Sequence, residues 1–531
     1  MRRHRGVTVA ALLILAAAVF VLATGMRPEF DVYGWLVWGR QTLHWNLDTN
    51  GAPSWKPLTY LFTLPNALAG RGQPLLWMIT SVAGSFLGAV LAARIAYRLA
   101  GPAPGRRYAP LIAAVFAGLG LLTLDGYWRL ILISNSDPMV VTLFLAAIDC
   151  HLWGRRRLAF LALLGASYGR PEAWPFAALY AAWTWRAQPQ MRLLTIAGLL
   201  SVPLLWFTIP ALTSDSWFRP GDLALNSVNA LHGDKLTGVF DRFFGLYALP
   251  MKLAVGFAVV VAVVRRDRIW LGLIAASLAW IFIEVGFALY GWSAVPRYLI
   301  EPGSVMIVLA GAALGRVLAG APEAGTALRW AAPIAIGALA VGFVPTARGR
   351  AREFRDEVIN RRHAGMQIDR LHEVIDRDGG AARVRACGQP VTVLGFQSSL
   401  AWELGMNVGD VGFRPGRAVH LGQPVVVFKP RTSAGRSCPF TTRRRGRRSA
   451  HSWRLRPKSL SPRPAARLSA GHARARRRSG AWRRAPGSSS CLRSSHPPWE
   501  RPRRVGAQAA GRGCRWHLRS AGHDAPRRRR R

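Results

Sequence analysis

MRRHRGVTVAALLILAAAVFVLATGMRPEFDVYGW, residues 1–35, sets out in order the features that decide how the rest of the chain is read. Arg2, Arg3 and Arg5 come first, then an unbroken apolar run from Val7 to Thr24, then an acid, Asp31, among Phe, Tyr and Trp. A run of this length is close to the ~20 residues that cross a bilayer core as a helix. It could be a cleaved leader or a retained span, and the lack of a small-x-small cleavage site together with many later apolar runs favours the retained helix.

Further apolar runs follow at 75–97, 109–124, 138–153, 157–168, 172–185, 193–211, 248–264, 269–290, 299–319 and 330–346. The expected fold is therefore an all-α polytopic membrane protein with about eleven spans, several of them short enough to require tilt or local thinning. Loop charge supplies an independent reading. Arg106 and Arg107, Arg155–Arg157, Arg186 and Arg192, Arg265, Arg266 and Arg268, then Arg316 and Arg329 each follow an even-numbered span. Because Lys and Arg gather on the cytoplasmic side, the chain is expected in the cytoplasmic membrane with its N-terminus inside and everything after Ala347 outside. Residues 26–73, 125–137, 212–247 and 291–298 then face outward, and these loops carry Trp, Tyr, Asp, Asn and His with little net charge.

Composition divides the chain again. Of its 531 residues 51% are hydrophobic, yet Lys and Arg number 71 and the net charge is +45. From residue 432 onward about 30 basic residues face two acids, Glu500 and Asp524, so the charge belongs mainly to the last fifth of the chain. Residues 1–346 read as the membrane domain and 347–431 as a small extracytoplasmic α/β module. Within the module Arg352–Asp376 is polar with helical spacing, and Val391–Leu394 and Val425–Phe428 are β-branched runs. Residues 432–531 form an Arg, Ser, Pro, Gly and Ala tail with no hydrophobic period. An arm for anionic polymers, a disordered spacer, and a stretch of GC-rich DNA read out of frame all fit such a tail. The abrupt change and the outside placement favour the last, and no nucleic-acid partner is expected. Five cysteines, Cys150, Cys387, Cys438, Cys491 and Cys514, have neither C-x-x-C spacing nor clustered His, so no metal site is expected from them.

The first outward loop holds Asp31, Trp35, Trp38, His44, Asp48 and then Ser54-Trp55-Lys56-Pro57-Leu58. Its aromatic content suits short amphipathic helices at the membrane surface. A carboxylate held there can act as general base to a hydroxyl, and a lysine on the same loop can neutralise a lipid-linked phosphate. The plainer alternative is that Asp31 caps a helix and Lys56 binds headgroups. Arg297, beside Tyr298, suits bidentate phosphate contact or simple snorkelling. Arg170 and Glu172 could pair along a cavity or pin a helix end. Glu284 lies inside an apolar run, where an uncompensated charge costs about 2.5–3.5 kcal/mol, so it has to be neutral, paired or facing water. The loop Thr213–Leu246, with Asp215, Trp217, Arg219, Asp222, Asn226, Asn229, His232 and Asp234, has the mixture of polar and aromatic groups that grips sugars.

Asp31 directly after the first span, the Lys-Pro-Leu at Lys56, Ser136-Asp137-Pro138 opening the fourth, Arg170-Pro171-Glu172 at an outer helix end, and Arg297-Tyr298 before the tenth together resemble the GT-C superfamily. The pattern looks most like its protein O-mannosyltransferase and lipid A aminoarabinose transferase branch, over residues 7–346. The resemblance implies an inverting glycosyltransferase that moves a sugar from a polyprenyl-phosphate donor to an extracytoplasmic glycan, lipid or protein acceptor. Mannose or a pentose are the first donor sugars it suggests. It implies Asp31 as catalytic base, Lys56 with Arg297 and Tyr298 at the donor phosphate, and Asp137, Arg170, Glu172 and Glu284 as substrate-orienting groups. Trp55 stands where some relatives carry an acid, which weakens a metal site in this loop; no cofactor is implied, and a divalent cation is left open. A transporter or lipid flippase is the main rival reading, with Glu284 as its best residue, and a non-catalytic protein of the same fold is a second.

Overall fold

The computed structural model describes residues 2–102, 108–225, 229–320, 326–413, 424–431 and 452–457, which lie within one compact unit, Met1–Lys458. Helix α1 (Arg2–Thr24) takes up the opening apolar run, and α2 (Phe30–Leu43) and α3 (Pro57–Asn66) build the loop after it. Then come α4 (Gln73–Ala100), α5 (Tyr108–Leu122), the short α6 (Tyr127–Leu132), α7 (Asp137–Leu152), α8 (Arg156–Gly169) and α9 (Trp174–Ala187). Helix α10 (Arg192–Pro203) runs through a π-helical turn at Leu204–Thr208 into α11 (Ile209–Thr213). Short α12 (Arg219–Ala224) and α13 (Lys235–Gly245) precede α14 (Leu249–Val264), α15 (Arg268–Tyr290), α16 (Ile300–Gly320) and the 52-residue α17 (Thr326–Arg377).

All eleven apolar runs thus fall on helices. Five stretches among the described residues are long and apolar enough to cross a membrane: Gly6–Thr24, Pro57–Ala100, Pro189–Thr213, Arg268–Tyr290 and Pro296–Gly320. A sixth arises if α13 and α14, bent by 108° at their junction, count as one broken span. The flanks of these helices expose large apolar side chains, including Leu22, Leu193, Leu200 and Phe282. Apolar surface on that scale is stable in hydrocarbon and not in water, so the chain is a membrane protein.

Helix α16 forms the centre of the bundle. It is buried almost throughout from Ile300 to Gly315, and it packs against α4, α5, α14 and α15. Small residues make this crowding feasible. A Cβ on Gly311 would stand 2.6 Å from the Ala113 carbonyl oxygen of α5. The same device joins α2 to α3, where a Cβ on Gly39 would meet the Thr63 carbonyl oxygen at 2.3 Å. Backbone cannot yield as a side chain can, so Gly39→Ala is expected to push the two helices apart at a cost of about 1–3 kcal/mol. A lowered melting temperature of the detergent-purified variant is the readout, and an unchanged one would mean the contact is slack.

Beyond the membrane helices lies a small α/β assembly. Strand β1 (Gln389–Val391) pairs parallel with β2 (Val425–Arg431), which pairs antiparallel with β3 (Ser452–Pro457), in the order β1-β2-β3. Helices α18 (Gly380–Ala386) and α19 (Gln397–Leu404) complete it. Strand β3 falls within the stretch read from sequence as a basic tail, and the rest of that stretch lies outside the described residues. Helix α17 runs without a break through position 346, where composition changes from apolar to polar.

The α/β assembly sits directly on α2. Arg40 donates from Nη2 to the Trp402 carbonyl at 2.7 Å while its guanidinium covers the Trp402 ring at 4.2 Å. Gln41 bonds Asn407, and Gly51 packs on the backbone of Gly409. His372 bonds Glu403 at 2.9 Å, and burial pushes the Glu403 carboxyl up despite that partner. The contacts of Arg40 and Gln41 help cover α2, which buries residues Val32–Gly39.

Candidate active site

Asp137 opens α7 with its side chain fully enclosed. Its backbone N–H is held by Asn135 Oδ1 at 3.0 Å, and the turn before it is tied down by Trp77 Nε1 donating to the Ser134 carbonyl at 3.0 Å. Ser134 has φ +57°, a left-handed conformation uncommon for a residue with a side chain, and it aims the next turn inward.

Three cations converge on this carboxylate. Arg170, at the C-terminal end of α8, donates from Nη2 to Asp137 Oδ1 at 2.7 Å. Lys56 Nζ stands 3.5 Å from the same oxygen, and Arg297 Nε stands 3.4 Å from Oδ2. Arg297 reaches further, its Nη2 lying 3.7 Å from Asp31 Oδ2 in the first turn of α2. Tyr298 carries both guanidiniums on its ring, Arg170 at 3.7 Å and Arg297 at 5.4 Å from the centroid. Trp280 Nε1 fixes the Tyr298 carbonyl at 2.9 Å, and Arg242 Nη1 binds the Ser293 and Ala294 carbonyls at 2.7 and 2.8 Å, so the loop carrying Arg297 is anchored on both sides.

Distance and burial separate these cations by task. The Arg170 side chain is only 4% exposed, makes the short bond to Asp137 and also contacts Glu172 Oε1 at 3.4 Å. Both terminal nitrogens are thereby committed, and its Nε is buried. Lys56 and Arg297 are held by longer contacts and are 16% and 32% exposed at the side chain, so they keep N–H groups for a further anion. Both line a cavity of about 670 Å³ together with Asp31, Arg170, Glu172 and Tyr298. Its remaining wall is aromatic, with Trp35, Trp174, Trp206, Phe287 and Trp292 among the lining residues. That volume and mixture of apolar wall with convergent charges suit a ligand of small-molecule size.

Seven of the residues singled out from sequence are therefore together: Asp31, Lys56, Asp137, Arg170, Glu172, Arg297 and Tyr298. Glu284 is buried in α15 behind them, beside Glu172 and away from the cavity wall. From the Thr213–Leu246 loop, Phe218 and Pro220 reach the cavity, whereas Asp234 caps α13 by accepting from the Thr237 N–H at 2.7 Å. Asp215 bonds Asn50 through its backbone, and Asn226 lies outside the described residues. Sequence reasoning missed Glu301, fully buried in the first turn of α16 near Arg170 and Asp137. Its one signal was an acid four residues after Arg297. No group of three or more His, Cys, Asp or Glu placed to hold a metal ion occurs among the described residues.

Solved structures similar to this chain include two of ArnT from Cupriavidus metallidurans. The form bound to undecaprenyl phosphate is 15% identical, with 79% of this chain and 92% of that one covered and a TM-score of 0.48. The apo form is 16% identical, with 80% and 93% covered and a TM-score of 0.47. No protein-family model and no curated protein matches the chain. At this level of likeness no residue role passes from those proteins to this one.

Proposed function

We propose that the chain is a membrane glycosyltransferase that takes a sugar from a polyprenyl-phosphate donor and passes it, with inversion, to an acceptor hydroxyl outside the cytoplasmic membrane. The observation that carries this reading is the pairing of two incompletely satisfied cations, Lys56 and Arg297, with a half-exposed carboxylate, Asp31, on the wall of one cavity between membrane helices. Transfer from a phosphate ester to a hydroxyl needs a base at the nucleophile and positive charge at the leaving oxygen. In the proposed step Asp31 takes the proton of the acceptor hydroxyl as that oxygen bonds to the anomeric carbon. The bond from that carbon to the phosphate oxygen breaks, and the departing polyprenyl phosphate leaves with the electron pair, its charge met by Lys56 and Arg297. Asp137 and Arg170 keep these two cations in register, and the aromatic wall offers stacking faces to a sugar or to the first isoprene units.

The test is transfer of radiolabel from polyprenyl-phosphate sugars into native membrane acceptors by the purified protein in lipid, with mannosyl and pentosyl donors tried first. Lys56→Ala is expected to weaken donor binding about tenfold or more, as loss of a charge-assisted phosphate contact does. An unchanged apparent donor affinity would remove Lys56 from the phosphate site. The buried carboxyls Glu172, Glu284 and Glu301 inside the bundle favour transport as the second reading. Movement of a lipid-linked sugar across the bilayer without transfer to an acceptor would put that reading first.

A further inference from the structure

The helices that bring Asp137, Arg170 and Trp174 to the cavity end, at their other termini, in a second concentration of charge. Helix α7 begins at Asp137 and finishes at Leu152, and α8 returns from Arg156 to Gly169. At 1.5 Å per residue their far ends are roughly 20–25 Å from the cavity, at the opposite boundary of the apolar layer. There Arg98 of α4 lies over the Trp153 ring at 4.3 Å, with Arg94 at 5.2 Å from the same ring. Arg156 covers Trp183 at 5.1 Å and Arg192 covers Trp185 at 5.3 Å. His151 bridges the two halves, its ring 5.3 Å from Trp183 on one side of the α7–α8 turn that carries Trp153 on the other.

One acid answers this group. Asp149 takes Arg94 at 3.1 Å and is almost enclosed, which leaves Arg98 and Arg156 without an ion-pair partner among the described residues. A guanidinium held over the face of an indole keeps N–H groups free at its edge, so part of the ordering cost of a bidentate contact is met before any ligand arrives. Trp153, Trp183 and Trp185 are themselves 52%, 41% and 41% exposed. Exposed indoles at a bilayer boundary lie at headgroup depth.

We infer that the surface formed by Arg98, Arg156, Trp153 and Trp183 is a binding site for the headgroup of an anionic diacyl phospholipid, separate from the cavity site. The free guanidinium edges take the phosphate, and the exposed ring faces and neighbouring aliphatic flanks take the glycerol and upper acyl chains. Several arginines set on indoles at neighbouring helix ends hold such a lipid longer than single snorkelling arginines, which exchange freely.

Native mass spectrometry of the full chain in detergent, titrated with phosphatidylglycerol and with phosphatidylcholine of the same acyl chains, tests this. Phosphatidylglycerol is expected to be retained at several-fold higher occupancy, and Arg98→Gln with Arg156→Gln to bring it down to the phosphatidylcholine level. The paired change to Lys keeps the charge but not the bidentate edge and is expected to retain only part of the preference, and an unaltered melting temperature of the Gln pair separates loss of the site from loss of the fold. An undiminished preference in the Gln pair, or no preference in the parent chain, would overturn the assignment. Displacement of the lipid by excess inorganic phosphate would overturn it too, since the site would then belong to a soluble anion.

Discussion

Asp137→Ala is expected to be the most damaging single substitution in the membrane bundle, lowering stability by about 3–5 kcal/mol. The carboxylate has no exposed surface and is the shared counter-charge of Arg170, Lys56 and Arg297. Taking it away leaves Arg170, itself buried, with Glu172 as its remaining ion-pair partner at 3.4 Å. The destabilisation comes less from a lost attraction than from a charge stranded away from water. Asp137→Asn keeps an acceptor for the 2.7 Å bond and should lose less. Thermal unfolding of both variants in detergent measures the difference, and equal melting temperatures for the parent and Asp137→Ala would show that solvent reaches this cluster.

Asp31→Asn should behave in the opposite way, with the fold kept and turnover lost. Its side chain is 32% exposed and its one ion contact among the described residues, to Arg297, is 3.7 Å long, so little stability rests on its charge. As general base the carboxylate is worth about 10²–10⁴-fold in rate, and the amide cannot accept the proton. The expected result is a transfer rate lower by that factor with an unaltered melting temperature and near-normal donor affinity. Retained turnover would move the base elsewhere, and a coupled loss of donor affinity would mean that Asp31 acts mainly through Arg297.

How far such a site can be read from sequence depends on what each signal physically is. Length of apolar run is a local property, and the helices α1, α4, α15 and α16 fall where their runs predict because hydrocarbon leaves the backbone no other way to satisfy its polar groups. The acids and cations of the loops between apolar runs were legible as a set because each stands at a helix terminus. Their partners were not. Nothing in the spacing of Lys56 and Asp137 indicates that they lie 3.5 Å apart, since that follows from α3 packing on α8, which in turn packs on α7. Glu301 escaped notice because an acid at the edge of an apolar run reads as its boundary, and burial becomes visible only when α16 is surrounded. The switch at 346 misled in the other direction. Composition changes there, yet α17 continues across it and carries Gly342, Pro345 and Gly349 within the helix.

The seating of α19 on α2 has a consequence for the order in which the molecule is made. Arg40 is among the first residues to leave the first span, whereas the carbonyl that holds it belongs to Trp402, 362 positions later. Synthesis at about 5–20 residues per second places many seconds between the two. Throughout that interval the loop bearing Asp31 and Trp35 has its membrane floor but not its cover. A ribosome-bound chain ending after α16 would hold Lys56, Asp137, Arg170 and Arg297 together while α2 still lacked its outer contacts. Maturation of the cavity is thereby tied to synthesis through α19.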